Sequence, residues 1–195
     1  MDIKFCFEIE DFDENAYSFK VDFPKSISLV EMTSNSSLND IGLFIGSLLD
    51  FNDLSLNSKF IDLLFQEEEL ALVGGLLFES NNVAIGVGCC ADFQDWIYVV
   101  RDIKRKCSPW MGHDPTPWFE FENEYITLWH DRETSKNCDF IQFTQKEFDE
   151  KLLKAKKELN DFIEVVEEWS EKNYSTDYIS LVTGVKHYLG ITESK

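Results

Sequence analysis

Apolar and polar residues alternate at the start of the chain, which is the pattern of a half-buried β-strand. The apolar positions there are Ile3, Phe5, Phe7 and Ile9. The alternation returns over 17–23, after an acidic turn at 11–14, and Pro24 follows it. Strands with one apolar face usually pair antiparallel and rest that face on a core. The sequence therefore predicts two antiparallel strands here and leaves room for a third over 26–32.

The pattern then changes to helical spacing and back again. Apolar residues three and four positions apart predict two short helices between 37 and 65, behind a serine pair that could cap the first. Alternation resumes over 70–87 and is interrupted by two consecutive asparagines, which is typical of a β-hairpin. Asp92 then has the position of an N-cap and predicts a further helix.

A second hairpin is the clearest local prediction in the chain. The segments 118–122 and 125–130 flank a two-residue turn at 123–124. This register sets Phe121 opposite Ile126, Phe119 opposite Leu128, and Trp118 opposite Trp129. The preceding segment, 110–117, is expected to be a shaped loop, because it contains two prolines and a glycine.

The last third of the chain is predicted to be helical after a short strand around 140–143. Thr144 and Glu147 form a Thr-x-x-Glu capping box at the start of a long helix. A seven-residue apolar repeat follows: Phe148, Leu152, Ala155, Leu159, Phe162, Val166 and Trp169. A final helix over 176–189 stops at Gly190. We expect the two helices to pack as an antiparallel pair, with a second chain on the long helix as the alternative.

Together these patterns predict an α+β fold in which an antiparallel sheet packs against several helices. The chain has 195 residues and contains no internal repeat or low-complexity linker, and this length suits one domain. The prediction is a single α+β domain over 1–195, with the C-terminal helical pair at about 145–190.

Charge narrows the classes of partner. The chain carries 37 acidic and 18 basic residues, a net charge of −19. Such a field repels nucleic acids and anionic membrane surfaces, and it speeds the encounter with cationic proteins. We therefore expect no nucleic-acid or membrane partner, and a basic protein is the partner that the charge favours.

The cysteines and the N-terminal residues indicate the cellular location of the protein. The five cysteines form no Cys-x-x-Cys pair, and reduced, buried thiols explain an odd number most simply. The N-terminal residues lack the basic and apolar regions of a secretory signal. These features predict a cytoplasmic location. No phosphate-binding glycine motif is present, and we expect no cofactor.

The face of the second hairpin opposite the core is a candidate binding surface. It combines rigid aromatic side chains with carboxylates, which suits a hot spot for a basic partner. Its residues are Trp118, Glu120, Glu122, Tyr125 and Trp129. The competing interpretation is that the long helix or the proline-containing loop covers this face.

Two other constellations could carry chemistry. If the loop folds back on the hairpin, two imidazoles and two carboxylates could hold a metal ion such as zinc or manganese: His113, Asp114, His130 and Asp131. Cys89-Cys90 could supply a nucleophile, with His113 or His130 as its base. An enzyme or metal-binding protein built on these residues is the alternative function.

The stretch Gly-Cys-Cys-Ala-Asp-Phe-Gln-Asp-Trp at 88–96, together with 112–120, resembles bacterial proteins of unknown function. In size and charge the chain is similar to small acidic toxin-immunity proteins. That resemblance implies a non-enzymatic protein that binds a basic toxin and blocks it, with no catalytic residues to transfer.

Overall fold

The computed structural model describes residues 1–9, 12–13, 17–25, 29–66, 69–132 and 138–191. The strands are β1 (Asp2–Glu8), β2 (Leu29–Glu31), β3 (Gly74–Ser80), β4 (Val83–Ile85), β5 (Trp118–Glu122), β6 (Tyr125–Trp129) and β7 (Phe140–Thr144). The helices are α1 (Leu38–Phe51), α2 (Ser58–Leu63), α3 (Trp96–Lys104), α4 (Gln145–Asn173) and α5 (Tyr178–Tyr188). The predicted α+β class, with antiparallel pairing and two C-terminal helices, is confirmed.

The chain divides into two compact units. The first contains Met1–Cys6 and Val73–Lys157, and the second contains Phe7–Leu72 and Glu158–Lys195. Both β1 and α4 therefore have residues in each unit. The organisation as a single domain over 1–195 stays a prediction.

In the first unit, β3 and β4 form the predicted hairpin. They pair antiparallel with Phe78 opposite Ile85. Asn81 and Asn82 make the turn with φ values of 49° and 68°. Positive φ at both central residues is the conformation that a tight hairpin turn requires, and asparagine tolerates it well. The strand order continues from this hairpin to β1, as β1-β3-β4.

The second hairpin and its third strand form the sheet β5-β6-β7. Its register is the predicted one, with Trp118 opposite Trp129 and Phe121 opposite Ile126. One face is buried against the apolar core of the first unit, where Phe78 lies 5.8 Å from Phe119 and 6.0 Å from Phe143, measured between ring centroids. The opposite face of the sheet, which we call the outer face, carries the alternate residues of each strand.

Helix α4 begins at the predicted capping box. Thr144 N–H donates to the Glu147 carboxylate at 2.9 Å, and Glu147 N–H donates to the Thr144 hydroxyl at 3.2 Å. All seven positions of the apolar repeat are buried, from Phe148 to Trp169. The long helix is therefore confirmed, whereas its packing against α5 as an antiparallel pair stays a prediction.

The second unit has its own apolar core and its own capped helix. Phe44 of α1 meets Phe7 edge-on at 5.5 Å and Phe162 edge-on at 5.8 Å. Ser37 caps α1 through a reciprocal capping box with Asp40. Helix α5 approaches α2 closely at Gly184, where a Cβ would lie 2.9 Å from the Leu64 side chain.

The predicted strand at 17–23 is wrong, because the structure has irregular backbone there. The side chain of Asn39 accepts from Asp22 N–H at 2.7 Å and donates to Asp22 O at 3.0 Å, which replaces a strand partner. The alternating residues Phe19 and Val21 are still buried. The predicted third strand is confirmed only at Leu29–Glu31. Residues 11 and 14 of the acidic turn and 26–28 of this strand lie outside the described residues.

Among the described residues, no helix combines the length and the apolar character needed to cross a membrane.

Candidate functional site

Three aromatic side chains cross the outer face of the sheet β5-β6-β7, one from each strand. Trp118, Trp129 and Phe140 occupy directly opposed positions in the register. The two indole rings stack with their centroids 6.0 Å apart and their planes 17° apart, and the Phe140 ring lies 5.0 Å from Trp129. We call these three residues the aromatic ladder. Cross-strand aromatic pairs of this kind stabilise a sheet, so the ladder is a rigid surface.

Exposure differs along the aromatic ladder. Phe140 is 51% exposed and Trp118 is half-buried, whereas the central Trp129 is 9% exposed between them. Tyr125, also on the outer face, is 46% exposed. Of the aromatic residues predicted for this surface, Tyr125 and Trp118 are thus accessible, and Trp129 is mainly a support for its neighbours.

The carboxylates of the predicted surface have separate positions. Glu120 is half-buried and accepts a hydrogen bond from Trp129 Nε1 at 3.2 Å, so it fixes the central indole. Glu122 is exposed two residues further along β5. Asp139, which precedes Phe140 in the chain, is also exposed. Glu120 and Glu122 therefore place negative charge on the outer face, along β5.

Basic residues lie at the turn end of the second hairpin. A cavity of about 370 Å³ beside Tyr125 is lined in part by Lys106 and Lys146. Glu124 lines the same cavity and the exposed Glu122 lies at the same end, so charges of both signs are present there.

Phe140 was missed as a surface residue by sequence reasoning. The strand around it was predicted, but its pairing with β6 was not, and this pairing places Phe140 beside Trp129. The available signal was the alternation of Phe140 and Gln142 with Ile141 and Phe143, because the second pair reads as the core face.

A second constellation joins two neighbouring thiols and an imidazole. Cys89, Cys90 and His113 each offer a ligand atom, and these atoms lie within 4.8 Å of one another. All three side chains are exposed, and the two sulfur atoms are 3.8 Å apart. We call these residues the thiol–imidazole cluster. It is the only such group of three or more among the residues that the structure describes.

The backbone holds this cluster in place. Cys89 and His113 exchange both hydrogen bonds of an antiparallel bridge, at 2.8 and 3.0 Å. Gly88 and Gly112 allow the two segments to approach, since a Cβ at Gly112 would lie 2.6 Å from the carbonyl oxygens of Gly88 and Cys89. Gly112 has a φ of 93°, which other residues rarely adopt. The ring of Trp110 meets that of His113 at 5.7 Å.

The cluster does not have the features of an activated nucleophile. The pKa of Cys89 is raised, first because its thiol shares a hydrogen bond with Cys90, and further by desolvation and by the negative charge of Asp114. A catalytic cysteine normally needs a lowered pKa, because the thiolate is the reactive form. The arrangement therefore gives no support to the nucleophile predicted at Cys89-Cys90.

The predicted metal ligands are only partly brought together. His113 belongs to the thiol–imidazole cluster, whereas Asp114, His130 and Asp131 are not members of that group. The loop does fold back on the hairpin, since Thr116 N–H lies 3.4 Å from an Asp131 carboxylate oxygen. His130 is half-buried, and its backbone N–H donates to the backbone carbonyl oxygen of Asp139 at 2.9 Å. Sequence reasoning had both cysteines and His113 in view but did not combine them as ligands.

Comparisons with known proteins found no match. No family model matches the chain, no curated protein matches its sequence, and no solved structure matches its fold.

Proposed function

We propose that this chain is a non-enzymatic binding protein whose partner is a cationic protein, docked on the outer face of the sheet β5-β6-β7. The observation that carries the proposal is the aromatic ladder, in which the exposed Phe140 and the half-buried Trp118 lie on either side of Trp129. Large rings on a rigid strand lose little conformational entropy on binding and commonly provide the hot spots of interfaces.

Charge complementarity selects the class of partner. The chain has a net charge of −19, and the exposed Glu122 lies on the outer face opposite Tyr125. Such a field steers a cationic protein towards the surface, and it disfavours nucleic acids and anionic membranes. Glu120 contributes differently, because it accepts a hydrogen bond from Trp129, whose ring contacts both Trp118 and Phe140.

The biological role that suits such a surface is that of an immunity-type inhibitor, which binds a basic toxin in the cytoplasm of a bacterium. Support for this role comes from the acidic charge, since the chain is similar to small acidic toxin-immunity proteins in size and charge. An inhibitor of this kind needs a surface that excludes water around a few anchors, and the aromatic ladder supplies such anchors.

The test uses the purified partner, identified by capture on the immobilised full-length chain. Calorimetry measures its dissociation constant for the wild type and for Phe140→Ala. A hot-spot residue contributes about 2 kcal/mol or more, so we expect Phe140→Ala to weaken binding by about thirtyfold. We also expect the affinity to fall as salt is raised, since salt screens exposed charges.

Phe51→Ala is the matched control, because Phe51 is 47% exposed and lies in the second unit. This variant should bind as the wild type does. A partner with a net negative charge, or equal affinities of Phe140→Ala and Phe51→Ala, would reject the outer face as the docking surface.

A further inference from the structure

We propose that the thiol–imidazole cluster is a binding site for a zinc ion, with Cys89, Cys90 and His113 as its three protein ligands. The site is separate from the aromatic ladder, and none of its ligands lies on the outer face. It also differs from the predicted set of two histidines and two aspartates. Two of its ligands are the thiols of Cys89 and Cys90, and it shares only His113 with that set.

The spacing of the ligand atoms suits tetrahedral coordination. Zinc–sulfur bonds of about 2.3 Å at tetrahedral angles place two sulfur atoms about 3.8 Å apart. The sulfur atoms of Cys89 and Cys90 are 3.8 Å apart in the structure. In a tetrahedral zinc site, a sulfur and an imidazole nitrogen lie about 3.6 Å apart. In the structure, each of the three ligand atoms lies within 4.8 Å of the other two. A small side-chain adjustment of His113 would complete the geometry.

The backbone brings the two thiols to one side. Successive residues of a strand point in opposite directions, so neighbouring cysteines normally diverge. Cys90 has a φ of 64°, which interrupts this alternation. A positive φ is unfavourable at a non-glycine residue, and such residues are concentrated at ligand sites. Its occurrence next to Cys89 is what allows both sulfur atoms to face His113.

The backbone of His113 is fixed in position without a bound ion. The paired hydrogen bonds between Cys89 and His113, at 2.8 and 3.0 Å, fix the two backbones opposite each other. Trp110 contacts the imidazole ring edge-on. A site whose ligands are positioned in advance loses less entropy when the ion binds.

Ligand chemistry selects zinc over harder ions. Two thiolates and an imidazole are soft or borderline donors, which suit zinc and not magnesium or calcium. Three protein ligands on an exposed surface leave the fourth tetrahedral position for water or a small anion. The cluster therefore matches a zinc site with one exchangeable position.

The experiment adds zinc to the reduced, metal-free full-length chain and measures binding by competition with a chromophoric chelator. Cobalt(II) then serves as a spectroscopic probe, because thiolate ligands give it intense charge-transfer absorption. We expect one bound ion per chain and a thiolate–cobalt signal. Cys89→Ser, Cys90→Ser and His113→Gln should each weaken zinc binding at least about tenfold. Substitution of residues that only hydrogen-bond to metal ligands already lowers metal affinity by about that factor.

Cys107→Ser is the matched control, because Cys107 is an exposed free thiol outside the cluster. Its zinc affinity should equal that of the wild type. Absence of the thiolate–cobalt signal, an equal loss in Cys107→Ser, or full affinity in Cys89→Ser would overturn the proposal. Cys89→Ser should leave partner binding at the outer face unchanged, so failure of this site and failure of the proposed function can be told apart.

Discussion

Replacement of Gly112 by alanine tests how strictly the backbone at the thiol–imidazole cluster is constrained. The new Cβ would lie 2.6 Å from the carbonyl oxygens of Gly88 and Cys89, and the φ of 93° is unfavourable for alanine. The conformation alone costs on the order of 1–3 kcal/mol. Relief of the overlap would weaken the two Cys89–His113 hydrogen bonds, each worth about 1 kcal/mol. We expect a total loss of about 2–4 kcal/mol.

Denaturant unfolding, followed by tryptophan fluorescence, measures this loss. Gly86→Ala is the control in the same unit, because its Cβ would lie 3.4 Å from the Leu77 side chain and its φ is not positive. That variant should change the free energy of unfolding by less than about 1 kcal/mol. If Gly112→Ala unfolds at the same denaturant concentration as Gly86→Ala, the close approach of the two segments is not a constraint, and the reasoning fails.

Three further expectations concern the second unit and helix α4. Phe162→Ala should lower the free energy of unfolding by about 3–5 kcal/mol because the ring is fully buried, whereas Leu153→Ala, at a position 72% exposed, should have little effect in the same denaturation assay. Ser37→Ala removes the cap of α1 and should cost about 1 kcal/mol, measured as a shift of the unfolding midpoint. Burial, followed by the charge of Asp50, raises the pKa of Tyr17 from 10.0 to about 12. The unfolded chain therefore loses the Tyr17 proton at a lower pH than the folded one, so the free energy of unfolding falls as the pH rises from 10 towards 12. Tyr17→Phe should remove one tyrosine from the part of an ultraviolet absorbance titration near pH 12.

Two of the elements that sequence analysis predicted correctly are specified by residues that lie close together along the chain. The second hairpin follows from the alternation around a two-residue turn, so the pairing of Trp118 with Trp129 could be predicted residue by residue. Helix α4 follows from the capping box at Thr144 and an apolar repeat with one period throughout. In both cases, local chemistry and the tertiary structure favour the same conformation.

Features that depend on distant partners could not be predicted. The alternation at 17–23 is typical of a strand, but the Asn39 side chain, 17 residues from Asp22, takes the place of a strand partner. The approach of Cys89 to His113 depends on two glycines and a positive φ at Cys90, and cysteine gives no signal of that conformation. The pairing of β7 with β6, which completes the aromatic ladder, also joins segments without a tight turn between them.

Site-specific photo-crosslinking tests the docking surface most directly. A photoreactive residue in place of Gln142, which is exposed near the middle of the outer face, should crosslink to a partner with a net positive charge. The same residue in place of the exposed Glu171 in the second unit should give no crosslink. Crosslinking from position 171 but not from position 142, or to an acidic partner alone, would contradict the proposed role of the outer face.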